Sequence, residues 1–254
     1  MKLNRILDWV GRELEVSSFD DVSNNGLQID GPEEVSKVAF AVDASLESVK
    51  AAVGAGAQLL IVHHGISWGG GIKRLQGGVY NVVKAAIDGN LAVAAYHLPL
   101  DASKKYGNNY GLAHFLGLKR LKPAFCYHGN VIGVTGVNPQ GVKVGVCSGG
   151  AGDFAEAAKN LGCGLFVTGE ASWGDVIAAE NCGIEMVCMG HYETETFGVK
   201  ALSRAVSEKL GLSTEFLDRG SSNGCDAGGV GGGQREFERK LSQLCRGLRS
   251  DDGF

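Results

Sequence analysis

The sequence has no C-x-x-C pair, no G-x-S-x-G elbow, no excess of positive charge and no apolar run near the ~20 residues of a membrane span. Each absence excludes a class. Seven scattered cysteines without a C-x-x-C pair argue against a structural zinc ribbon, and they suit buried thiols in a reducing compartment, hence a cytoplasmic protein. The missing elbow, and serines such as Ser67 and Ser172 in undistinguished settings, leave little support for a Ser–His–Asp hydrolase. A formal net charge of −4, with aromatics at only 7% and not interleaved with basic residues, predicts neither general nucleic-acid binding nor attraction to an anionic membrane. The start, "MKLNRILDWVGREL", is amphipathic and lacks the apolar core of a signal peptide.

What is present is an alternation of buried strands and helices. Ile6, Leu7, Val10 and Leu14 have helical spacing, and Asn24, Asn25 and Gly26 have turn chemistry. "KVAFAVDAS" reads as a strand running into Asp43, a plausible helix N-cap. Further strands at "QLLIV" and "LAVAAYH" follow, separated by helices, which predicts an α/β domain with a mainly parallel sheet.

The second half repeats the first. Residues 39–45 and 56–65 align with 145–151 and 162–171 at one offset of 106, and residues 89–101 align with 183–195 at an offset of 94. The expected fold class is therefore α/β, with two similar α/β domains from an internal duplication and a dinuclear metal site in the cleft between them. The expected domains are 1–125 and 126–218, followed by a glycine-rich, disordered tail at 219–254, within which "REFERKLSQLCRGLR" has the pattern of a short amphipathic helix.

The chemistry sits at the predicted carboxyl ends of strands, where α/β sheets bind ligands. "LLIVHHGISWGG" ends a buried strand in His63 and His64, and each half also carries a histidine with an acid four residues later, His97/Asp101 and His191/Glu195. Imidazole and carboxylate both suit first-row divalent metals, and adjacent histidines leaning into a cleft suit two ions, with Glu195 as the bridging candidate. His97 is a ligand or a group that orients one, and Glu170, at the position matching His64, lines the cleft or favours a helix N-terminus. His97 and Glu170 are the candidate catalytic proton carriers. His114 and His128 read as surface residues. The Gly150-x-Gly152-x-x-Ala155 run has the form of a dinucleotide fingerprint, but Asp153 would repel a pyrophosphate there. Gly69, Gly70 and Gly71 give "GISWGGGIKR" mobility, so that Trp68, Lys73 and Arg74 either close over a bound anion or form an ordinary connector.

"NNGLQIDG", "VDAS", "LLIVHHGISW", "YHLPLDA…GNNYGLAHFLGL", "VTGEAS" and "GHYETETFGVKAL" together resemble the GTP cyclohydrolase I type 2 homologue family, also called NGG-interacting-factor-like proteins, in its short form. The resemblance implies a two-domain α/β fold, a ring-shaped homohexamer and a pair of metal ions. The family's ligands correspond here to His63, His64, Asp101, His191 and Glu195. Iron, zinc, manganese and cobalt all suit such donors. Two functions follow as expectations: a metal-dependent hydrolase acting on a nucleotide or related small molecule, or a non-enzymatic metallochaperone, adaptor or regulator. The chain departs from the family after "EFLD", where "RGSSNGCDAGG" stands in place of a proline-containing strand.

Overall fold

The computed structural model describes residues 1–218; the tail expected at 219–254 lies outside the described residues. In chain order the first half comprises α1 (Leu3–Glu13), β1 (Gly26–Ile29), β2 (Lys37–Asp43), α2 (Leu46–Gly54), β3 (Leu59–His64), α3 (Gly77–Asp88), β4 (Ala92–Ala95) and α4 (Leu98–Ala102). Then come α5 (Asn108–Phe115), β5 (Lys119–Tyr127), β6 (Asn130–Val137), β7 (Lys143–Cys147), α6 (Ala155–Asn160) and β8 (Leu165–Thr168). The last are α7 (Trp173–Cys182), β9 (Glu185–Cys188), α8 (His191–Leu210) and β10 (Ser213–Phe216). Over the described residues the protein is thus a mixed α/β protein with two sheets.

Two compact units emerge. Unit one is Met1–Gly107, His128–Asn130 and 198–218; unit two is Asn108–Tyr127 and Val131–Phe197. This partition differs from a single cut after residue 125. Residues Tyr110, Leu112 and Ala113 of α5 share a core with Val144, Val146, Leu165 and Val167, while β10 pairs in parallel with β2.

In unit one the strand order is β1-β4-β3-β2-β10, with only β1 antiparallel to its neighbour. The apolar runs in β2 and β3 are continuous because both sheet faces are covered. Ala39, Ala41, Leu60, Val62 and Val93 pack with Val49 and Ala52 of α2 and Val82 and Ala86 of α3. The alternate residues Val38, Phe40, Leu59 and Ile61 are equally buried. Asp43 does not cap α2. Ser45 does so, its side chain accepting from Ser48 N, because the chain runs two residues past Asp43 before the helix begins. That leaves the Asp43 carboxylate at the strand end.

In unit two the order is β5-β6-β7-β8-β9, with β7, β8 and β9 parallel and β6 antiparallel to β7. Val38 pairs with Leu59 and Leu59 with Ala92 in unit one; Val144 pairs with Leu165 and Leu165 with Glu185 in unit two. The first two strands keep the offset of 106 (144 − 38, 165 − 59), but the third gives 185 − 92 = 93 rather than 94. By strand register His97 therefore matches Gly190, not His191. The local reason is that His97 precedes α4, whereas α8 begins with His191 itself. Among the described residues no helix is long and apolar enough to cross a membrane.

Gly31 brings its backbone against β4: a Cβ there would lie 2.5 Å from Ala92 N and 2.9 Å from Ala92 Cα, and a strand backbone in mid-sheet cannot give way. Gly31→Ala is expected to cost about 1–3 kcal/mol by overpacking, read as a lowered midpoint in urea with an unchanged m-value.

Candidate metal centre

Unit one assembles His63, His64 and His97 with one ring nitrogen of each within 4.8 Å of the others. His63 is fully buried, and its Nδ1 lies 3.0 Å from the Tyr96 carbonyl. A carbonyl only accepts, so Nδ1 carries the proton, and in the neutral ring Nε2 holds the lone pair. The His64 Nδ1 donates to Asp43 Oδ1 at 2.9 Å, an arrangement made possible because Asp43 and His64 pair directly across β2 and β3. The His97 Nδ1 donates to Asp21 Oδ1 at 2.9 Å. All three rings are thus held in the same tautomer by a carbonyl or carboxylate, the support that metal-bound histidines use. Their centroids are 4.5, 5.1 and 5.8 Å apart. The adjacent His63 and His64 do not point to opposite sides here, because they sit at the last positions of β3, where the pleat ends. Asp101, buried in α4, has Oδ1 3.6 Å from His63 Nε2. Soft-to-intermediate nitrogen donors next to a carboxylate fit a divalent first-row ion.

Asp21 was not singled out from sequence, yet it organises this unit. Its Oδ1 accepts from Ser23 N at 3.0 Å and from His97; its Oδ2 accepts from Asn25 Nδ2 at 2.8 Å and Leu98 N at 2.9 Å. Burial pushes its pKa up, but the hydrogen bonds from His97, Asn25 and Ser23, with the nearby His97 charge, outweigh that and hold it at about 2. Asn25 adds a further tie, its Oδ1 accepting from His97 N at 2.7 Å. No local signal marks Asp21: its partner His97 is 76 residues away.

Unit two carries His191, Glu195 and Glu170. Because α8 begins at His191, residues i and i+4 do share a face, and His191 Nε2 lies 3.2 Å from Glu195 Oε1. The same spacing in unit one works differently: His97 bonds to Asp21, and Asp101 faces His63. Glu170 does not start a helix. Ser172 caps α7 in a capping box with Asp175, and Glu170 Oε1 instead lies 3.0 Å from His191 Nδ1. Burial pulls the His191 pKa down, but the bonds and charges of Glu195 and then Glu170 push it up to about 10.

The floor under this pair is Gly149, with φ of +68°, where a Cβ would lie 2.3 Å from Glu195 Oε1 and 3.3 Å from His191 Nε2. The buried Asn109 accepts from Ser148 N at 2.7 Å, and Gly149 N donates to Thr194 Oγ1 at 3.1 Å, tying this loop to the first turn of α8. Gly150, the first glycine of the fingerprint-like run, and Gly149 just before it thus lie beneath carboxylates: Gly149 under Glu195, and Gly150 with its notional Cβ 3.4 Å from Glu170 Oε1. His114 and His128 are exposed. The start of the glycine-rich loop is anchored: Gln28 Oε1 accepts from Ile66 N and Ser67 N, and Gly69 N donates to Val22 O at 2.6 Å.

The family model described as Duf34/NIF3 (NGG1p interacting factor 3) matches residues 1–140 and 127–221. A protein of Archaeoglobus fulgidus named GTP cyclohydrolase 1 type 2 homolog is 38% identical over 241 residues, covering 86% of this chain and 98% of that protein. One of the same name from Deinococcus radiodurans is 35% identical, covering 85% and 92%. Among solved structures, TTHA1606 from Thermus thermophilus matches with a TM-score of 0.78 at 30% identity, covering 88% of this chain and all (100%) of that one. HcgD from Methanocaldococcus jannaschii shares the fold at a TM-score of 0.75 and 24% identity, covering 86% and 98%.

Asp21→Asn puts an amide where four donors converge and is expected to cost about 2–4 kcal/mol at neutral pH. Because folding lowers this pKa from 3.8 to about 2, the stability it confers is complete above 3.8 and is lost as pH falls through 2; chemical denaturation across that range is expected to show a shallower acid limb in the variant. In unit two, Glu170→Gln removes one of the two carboxylates that raise His191, so an NMR titration of the metal-free protein is expected to give a His191 pKa below the present value of about 10.

Proposed function

This chain belongs to the Duf34/NIF3 family, and on that premise we propose that it is a cytoplasmic dinuclear-metal protein that hydrolyses a nucleotide or a related small molecule. The observation that carries the reading is the trio His63, His64 and His97, each ring held through Nδ1 so that Nε2 is the nitrogen that His63 and His64 would offer to an ion and His97 to a proton. The name of the curated relatives, GTP cyclohydrolase 1 type 2 homolog, supports a nucleotide-like substrate. In this reading His63, His64, Asp101, His191 and Glu195 would hold two divalent ions of iron, zinc, manganese or cobalt. The two units arise by duplication in the same reading, supported by the shared offset of 106 in their first two strands, and six chains form a ring, as the family resemblance implies.

Bound divalent ions supply Lewis acidity toward water and toward the group attacked. The chain's own residues handle protons and orientation. Asp21 keeps the His97 Nδ1 protonated, which leaves Nε2 to take a proton from the nucleophile and return it to the leaving group. Glu170, exposed and bonded to His191 Nδ1, both orients that ring and exchanges protons with solvent.

Elemental analysis of protein purified without added metal is expected to find two ions per chain, and light scattering a mass six times the 26.5 kDa of one chain. His64→Ala is expected to lose at least one ion and all turnover of a nucleotide panel. His97→Gln should keep both ions and lose turnover about 10²–10⁴-fold. Ions without turnover across the panel, together with transfer to an apo acceptor, would make the protein a metal carrier; no ions at all would remove the reading.

A further inference from the structure

Trp68 is placed as a fixed aromatic wall beside the unit-one histidines. Its ring centroid lies 5.1 Å from that of His97, edge to face at 76°, and 6.1 Å from that of His64. The indole Nε1 donates to Gly65 O at 2.9 Å, which fixes the ring against its own strand end. Its backbone bridges to Ser23, and the flanking residues are held by Gly69 N to Val22 O at 2.6 Å, Asn24 Nδ2 to Ser67 Oγ at 2.7 Å and Ile66 N to Gln28 Oε1 at 2.7 Å. In spite of these ties the side chain stays 36% exposed. Anchoring a large apolar ring this firmly while leaving part of it in water gains little for folding, since burial is what stabilises an indole. A preorganised, partly open aromatic surface next to candidate ligands is instead what a flat ligand needs. The same loop continues to Lys73 and Arg74, both exposed and five and six residues on, which carry the positive charge that a phosphate would meet.

We propose that Trp68 is the stacking platform for the planar heteroaromatic ring of a nucleotide, holding that ring beside His64 and His97. The proposal rests on the hydrolase reading above and names the part of the substrate that the site recognises. Stacking uses the ring's π-face, so the contact selects flat bases over sugars while tolerating differences among bases. Trp68 is a specificity-determining residue here.

The test uses guanosine 5′-monophosphate as the probe and ribose 5-phosphate as its base-free control, titrated by calorimetry and by tryptophan fluorescence, with Trp9 and Trp173 as constant background. The monophosphate is expected to quench wild-type fluorescence, to bind about 10- to 100-fold more weakly to Trp68→Ala, and to bind Trp68→Phe nearly as well as wild type. Ribose 5-phosphate should bind both wild type and Trp68→Ala equally and weakly, and the ion content of Trp68→Ala should match wild type. Unchanged affinity of Trp68→Ala for the monophosphate, base-free phosphate binding as tightly, or no binding of the monophosphate to ion-loaded wild type would each overturn the proposal. Should Trp68→Ala fail to fold, wild-type quenching and the Trp68→Phe affinity decide it. Absence of ions from wild type would refute the metal reading alone, since quenching remains measurable on the metal-free protein.

Discussion

Hydrogen bonds donated by imidazole Nδ1–H are the constraint on which the candidate centre depends. A histidine whose ring turns freely offers a donor to solvent as readily as to an ion. Once Nδ1–H is committed to the Tyr96 carbonyl, Asp43 or Asp21, both the tautomer and the ring plane are fixed, and the second nitrogen is presented in one direction. The three bonds differ in strength. A carbonyl partner orients His63; carboxylate partners hold His64 and His97 through charge-assisted bonds.

The sheet of unit one delivers these bonds. Parallel strands with both faces covered need unbroken apolar runs, so polar side chains are excluded until the strands end. In β2 and β3 they end together, at Asp43 and His64, and the direct pairing of those two positions makes their hydrogen bond a consequence of register. The turn-rich segment before β1 supplies what the strands cannot. Asp21 and Asn25 come from it to hold His97 at both its backbone and its ring, and Gln28 and Val22 hold the start of the loop that carries Trp68.

Unit two solves the same problem with a helix. Starting α8 at His191 puts Glu195 one turn on, and two carboxylates rather than one bracket the imidazole. Such closeness needs a floor without a side chain, which explains why Gly149 stands there at a positive φ. Thr194 then ties that floor to the helix start, and Asn109 ties it to α5. Gly150, which opens the run that imitates a dinucleotide fingerprint, likewise leaves room for an acid, Glu170.

Periodicity and composition were enough for β2, β3 and β4 and their counterparts β7, β8 and β9, for the α/β class and for the positions of His63, His64, His97 and His191 at or just past strand ends, because apolar runs and their interruptions are local properties of the chain, whereas β1, β5, β6 and β10 were not read. The roles of Asp21 and Asn25 were not legible, since their partner His97 lies 76 and 72 residues further along and no spacing rule links them. Asp43 read as a helix cap and became the support of His64, and Glu170 read as a cleft or helix-start acid and became the partner of His191, for the same reason: a carboxylate takes whichever donor the packed sheet brings to it. The one-residue slip between His97 and His191 belongs with these, because pairing between strands, not the order of residues along one strand, sets register.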